Sequence, residues 1–153
     1  MSEPGLPHQA ATLEAAKKEL AKLPMLGPAM WLFARDQHLR FTFIADLDWR
    51  LLPPLLLDQC RLYSKADMPW AFATWAFVSD GVDERLRSNP GAIAPHEWKA
   101  GSKPWLLDVV APFGDIEAVA IETAAHMGCA TSVSAWLRTV EGAPTLRVLN
   151  PRG

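Results

Sequence analysis

The chain has 153 residues and a mass of 16.9 kDa, room for one domain with a substantial core. Half of its residues are hydrophobic, and seven Trp and six Phe stand beside a single Tyr, a composition that excludes a disordered chain. A net charge of -2 and a pI near 6.1 argue against nucleic acid as a partner of the whole chain.

The opening letters MSEPGLPHQ have neither the basic nor the apolar region of a signal peptide, so a reduced, cytoplasmic location is expected. No integral membrane segment is expected either, because the longest apolar run, residues 51–57, is short and contains Pro53 and Pro54. Residues 9–23 read as a helix of Ala, Leu, Glu and Lys with Leu13, Ala16, Leu20 and Leu23 on one stripe, solvated and loosely packed, and stopped by Pro24. A second helix is expected over 26–35, with Met30, Trp31 and Phe33 as anchors. Polar residues then gather abruptly from Asp36 to Arg40, before an irregular stretch that carries Asp46 and Asp48.

From Gln59 the pattern changes to strands. Residues 60–64 alternate, 66–69 make a turn, and 70–79 form a long aromatic strand, together an antiparallel hairpin. Asp80 is placed to cap a helix through Arg87, ended by Asn89-Pro90-Gly91. A short helical turn at 95–98 leads to the run KPWLLDVVAPFGD at 103–115, an apolar strand closed by a Pro112-Phe113-Gly114 turn. Residues 115–127 are the clearest helix, with an acidic start and Gly128 as its cap. Strands are expected over 132–140 and 145–149, joined by a turn at 141–144. The order of elements predicts an α+β fold with a mostly antiparallel sheet and flanking helices.

Two residues stand out chemically. Asp108 is a single carboxylate inside WLLDVV, and a buried carboxylate needs solvent, a partner or a proton. Its bland readings are an outward-facing strand position or a turn cap. His38 sits in a polar turn among Arg35, Asp36 and Arg40, where an isolated His is more often a surface residue. Other chemistries fail sooner. His126 and Cys129 have no second metal pair, His96-Glu97 lacks a second His, and no phosphate loop or nucleophile elbow is present.

The stretch PWAFATWA from Pro69, then Glu97-Trp98, Gly101, KPWLLD from Lys103 and APFGD from Ala111 resemble the RTX toxin-activating lysine acyltransferases. Upstream, Gly27, Trp31-Leu32 and His38 fall in the same order and at nearly the same spacing. The resemblance covers about residues 25–115 and weakens beyond Met127. It implies a fold like the GCN5-related N-acetyltransferases and transfer of a fatty acyl chain from acyl carrier protein to internal lysines of an RTX protoxin. It implies His38 and Asp108 as the catalytic pair, and acyl-acyl carrier protein as co-substrate with no metal or other cofactor. Family members carry a Ser shortly before the His, where this chain has Arg35-Asp36-Gln37. Residues 1–24 then read as an N-terminal extension, partly helical, and 25–153 as the acyltransferase domain.

The chemistry agrees with those residue types. A lysine ammonium must lose a proton before it attacks a thioester, and imidazole, with an unperturbed pKa of ~6.5, suits the base. A carboxylate behind it would orient the ring and stabilise its charged form. A covalent acyl-histidine is the other mechanism, and backbone N–H groups at the Pro112-Phe113-Gly114 turn are candidates for the oxyanion. Arg35, Arg40, Lys99 and Lys103 are candidates for docking an acidic carrier protein, and the aromatic surface makes a homodimer plausible. A coenzyme-A-dependent N-acyltransferase and a non-catalytic binding module on the same fold are the alternatives.

Overall fold

The computed structural model describes residues 7–138 and 142–150. Five strands, β1 (Cys60–Lys65), β2 (Met68–Val78), β3 (Lys103–Val110), β4 (Val133–Leu137) and β5 (Thr145–Leu149), form one sheet in chain order. Every neighbouring pair is antiparallel except β3 and β4. The helices are α1 (Pro7–Phe33), α2 (Leu47–Arg50), α3 (Leu52–Leu56), α4 (Asp80–Ser88) and α5 (Ile116–His126). The expected α+β architecture is what forms. Residues 139–141, which include the predicted end of β4 and the start of its turn, lie outside the described residues, as do 1–6.

Alternation along β2 divides the core. Ala71, Ala73 and Trp75 face one side and pack with Leu106, Val119, Ala120 and Ala124 under α5. Phe72, Ala76 and Val78 face the other. There Phe72 meets Leu32 and Phe33 of α1 and Leu55 of α3, while Ala76 and Val78 meet Val82 and Leu86 of α4. Helices therefore cover both faces, and the central strands are apolar on both sides.

Three local features differ from the sequence reading. The two helices expected on either side of Pro24 are one, α1, with Pro24 and Pro28 inside it. The boundary drawn at 24/25 therefore falls within a helix. A proline inside a helix costs about 3 kcal/mol through its missing N–H and its clash with the preceding turn. Strong helix formers before Pro24 and burial of Ala29, Leu32 and Phe33 after it offset that cost. Of the stripe predicted before Pro24, Leu13 is 59% and Leu20 61% exposed. The cap of α4 is Ser79, whose Oγ accepts from the Val82 N–H at 3.4 Å, while Asp80 lies in the first turn. The β1–β2 turn is a two-residue hairpin, with Ala66 and Asp67 at φ 50° and 63°, the left-handed pair that matches strand twist.

The sheet carries two irregularities that bear on function. Between Ala73 and Trp75 the β2–β3 register shifts, from Ala73 opposite Val109 to Trp75 opposite Leu106, so Leu107 and Asp108 together oppose Thr74. This is a β-bulge with its extra residue on β3. Second, β3 and β4 pair only through Trp105–Ser134 and Leu106–Ala135, and diverge beyond.

Candidate active site

The bulge explains how a carboxylate can interrupt a buried strand. With strict alternation Asp108 would share the α5 face with Leu106. The extra residue returns that face to Val109, which joins Leu106 in the core under α5. Asp108 instead belongs to the side on which α2 lies. Thr74, fully buried opposite it, accepts the Asp108 backbone N–H on Oγ1 at 3.1 Å, so the amide displaced by the bulge keeps a partner.

Asp108 Oδ2 accepts from Arg50 Nε at 3.0 Å, and the two side chains are only 13% and 21% exposed. Burial is the largest influence on this carboxyl and pushes it above its ordinary pKa. The Arg50 guanidinium pulls it back by charge and hydrogen bond, and the Asp36 carboxylate adds to the rise. Among the described residues Oδ1 has no hydrogen-bond partner, and it is not a fully buried orphan.

His38 is held from its backbone. Asp36 Oδ1 accepts from the N–H groups of His38 at 2.8 Å and Leu39 at 2.9 Å, closing the turn at the end of α1. Within Arg35-Asp36-Gln37, Asp36 is thus the residue that shapes the turn. The segment that follows forms short helical turns at Leu39–Phe41 and Ile44–Asp46. It is tied to the Asp108 side by Arg50, whose Nη1 donates to Thr42 Oγ1 at 2.9 Å. Arg50 therefore reaches both the carboxylate and the segment after His38.

A cleft of about 900 Å³ opens here, and His38, Arg50 and Asp108 all line it. Leu107 and Val109 of β3 and Trp136 of β4 belong to its wall, where the two strands part. The sequence-predicted His and Asp thus share one cleft. No hydrogen bond or ion pair joins them among the described residues; His38 is exposed, and the observed partner of Asp108 is Arg50. Sequence reasoning missed Arg50. The only signal for it in the sequence is the demand of a buried carboxylate for a cation.

The APFGD turn borders the same cleft. Phe113 packs between Trp31 and Trp70 in tilted ring contacts, at centroid distances of 5.8 and 5.6 Å. A Cβ on Gly114 would lie 3.1 Å from Trp70 Nε1, close enough that the indole would have to shift by a few tenths of an ångström to admit it. The Gly114 N–H donates to Ala111 O at 3.3 Å, and Pro112 has no N–H to offer. Asp115 caps α5 by accepting from the Glu117 N–H at 2.9 Å, and Glu117 is ion-paired with Arg147.

Of the four basic residues considered for carrier docking, Arg35 lines the cleft and lies 3.8 Å over the Trp31 ring. Arg40, Lys99 and Lys103 are exposed and do not line it. Neither Cys60 nor Cys129 forms a disulfide. Among the described residues no group of three or more His, Cys, Asp or Glu could hold a metal, and no helix is long and apolar enough to cross a membrane.

Residues 18–152 match the model of the RTX toxin acyltransferase family. Among similar proteins, the lysine-acyltransferase RtxC of Vibrio cholerae is 32% identical over 108 residues, covering 70% of this chain and 68% of that protein. The protein-lysine palmitoyltransferase CyaC of Bordetella bronchiseptica is 28% identical over 128 residues, 84% of this chain and 69% of its own length. The protein-lysine myristoyltransferase HlyC of Escherichia coli is 28% identical over 93 residues, 61% of this chain and 55% of its own length. Against HlyC, then, the similarity spans little more than half of the relative.

Proposed function

The chain belongs to the RTX toxin acyltransferase family, and from that premise we propose that it moves a fatty acyl chain from acyl carrier protein to internal lysines of an RTX protoxin. The observation that carries the reading is the shared cleft. His38, on a turn fixed by Asp36, and Asp108, held by Arg50, both line it, where β3 and β4 separate.

In this mechanism His38 takes a proton from the acceptor lysine, and the neutral amine attacks the thioester carbonyl. As the tetrahedral intermediate collapses to the amide, the attacking nitrogen gives up its second proton to solvent, and the expelled carrier thiolate takes the first from the imidazolium, leaving a free thiol and a neutral His38. Asp108 stabilises the imidazolium through the cleft, and Arg50 opposes the rise in the Asp108 pKa that burial causes. The thioester is a co-substrate, and the steps as written call on no metal or further cofactor. The carboxylates of Asp115 and Glu117 at the start of α5 support a carrier-bound donor over free coenzyme A, because a pyrophosphate favours a helix start without them.

The test is intact-mass analysis of an RTX protoxin incubated with acyl carrier protein loaded with a long chain. Wild type adds one acyl mass per modified lysine, and His38→Ala and Asp108→Ala add none. Modification that survives both substitutions overturns the site. Turnover of acyl-CoA on a small amine, with no mass gain on protoxin, overturns the substrate assignment.

A further inference from the structure

Residues 39–46 combine a firm scaffold with an apolar display. Phe41, Phe43 and Ile44 are 74, 75 and 80% exposed, the three most exposed of the large hydrophobic side chains among the described residues. Yet the backbone beneath them is well bonded. Thr42 Oγ1 donates to Leu39 O at 2.6 Å, Asp46 Oδ2 accepts from the Phe43 N–H at 3.0 Å, and Asp46 Oδ1 accepts from Trp49 Nε1 at 3.1 Å. Arg50 holds Thr42 from the side of the sheet. The segment is thus fastened in a form that keeps its large apolar groups in water, a costly arrangement that marks a binding surface.

The occupant follows from position and charge. Phe41 and Phe43 line the same cleft as His38 and Asp108, and Leu107, Val109 and Trp136 continue an apolar wall from them. A thioester carbon set beside His38 places its alkyl chain within that cleft. Over residues 35–50 the three carboxylates, Asp36, Asp46 and Asp48, are matched by three cations, Arg35, Arg40 and Arg50, so the surface has no net positive charge to draw in an anionic membrane or an acidic carrier surface. An uncharged alkyl chain needs no such charge.

We infer that Phe41 and Phe43, extended at the rim by Ile44, grip the fatty chain of the donor and set the enzyme's preference for chain length. The inference rests on the acyltransferase reading and names the part of the site that would bind the chain.

The experiment compares the full wild-type chain with Phe41→Ser, Phe43→Ser and the double variant, each checked for an unchanged melting temperature. Donors are acyl carrier protein loaded with palmitoyl or butanoyl chains. The ratio of kcat/KM for palmitoyl over butanoyl is expected to fall about tenfold in the double variant, because only the longer chain reaches the two rings. An unchanged ratio overturns the inference. So does an unchanged ratio accompanied by lost dimerisation or lost binding to phosphatidylglycerol vesicles, since the patch is then an interface or a membrane contact. Should wild type transfer neither chain, the acyltransferase reading fails by itself, and calorimetry with amide-linked, non-transferable donors decides the inference. Wild type then binds the palmitoyl form more tightly than the butanoyl form and the double variant does not; equal binding in wild type overturns it.

Discussion

Replacing Arg50 with Gln isolates what the cation does for Asp108. The Nε–Oδ2 separation is 3.0 Å and both side chains are mostly removed from solvent. At an effective dielectric constant of about 20, the gross attraction at this distance exceeds about 4 kcal/mol, and desolvation of both ions takes back much of it. A net coupling of about 2 kcal/mol is consistent with hydrogen bonds between charged groups. That coupling changes the ratio of ionised to protonated Asp108 by a factor of roughly 30. Burial already raises the carboxyl above its unfolded value and Arg50 restrains the rise, so the variant must raise it further. A group whose pKa is raised on folding favours the native state when protonated, and loses that advantage as pH climbs from the unfolded value through the folded one. The Arg50→Gln chain is therefore expected to lose about 2 kcal/mol relative to wild type at neutral pH, and less as acidity protonates Asp108. Urea denaturation at a series of pH values measures this, and the acid limb of kcat/KM should move upward in parallel. An equal loss at about pH 4 and about pH 8 would refute the argument. The effect would then lie in lost packing of the guanidinium, which also sits 4.9 Å over the Trp49 ring.

Two further outcomes test the supports of the site. Thr74→Val keeps the shape but removes the acceptor of the Asp108 N–H. It should cost about 1–3 kcal/mol in chemical denaturation and lower acyl transfer, and a neutral result would mean the bulge needs no pin. Ala66→Asn with Asp67→Gly gives the β1–β2 turn residues suited to its positive φ angles. It should add about 1 kcal/mol of stability with transfer unchanged, whereas destabilisation would refute the assigned turn type.

Much of the frame was legible because local chemistry and global packing agree. The β1–β2 hairpin, α4, β3 and α5 each combine the expected period with a clear turn or cap, and all four form. Helix α1 was misread because a proline is a strong local stop, whereas the helix formers before it and the packing of Leu32 and Phe33 after it act over longer range. The bulge could not be read, since letters alternate whether or not two residues share one partner. Asp108 was visible as an anomaly and His38 only through the family resemblance. Arg50 lies 58 residues from Asp108 in sequence, and no spacing rule links an arginine on a short helix to a carboxylate on a distant strand.

The seam between β3 and β4 has a consequence for how the protein breathes. Three strands on one side and two on the other are paired along most of their length, interrupted only by register shifts at Tyr63/Ser64 and Ala73/Trp75, but two residue pairs join the halves. Amides of β2 should therefore resist deuterium exchange longer than those beside the notch, where opening needs few bonds to break. A donor arm lying between the diverging strands would act as the missing rungs of the ladder. Substrate would then fasten the β4–β5 hairpin to the rest of the sheet, and slower exchange across both halves would report occupancy before any chemistry occurs.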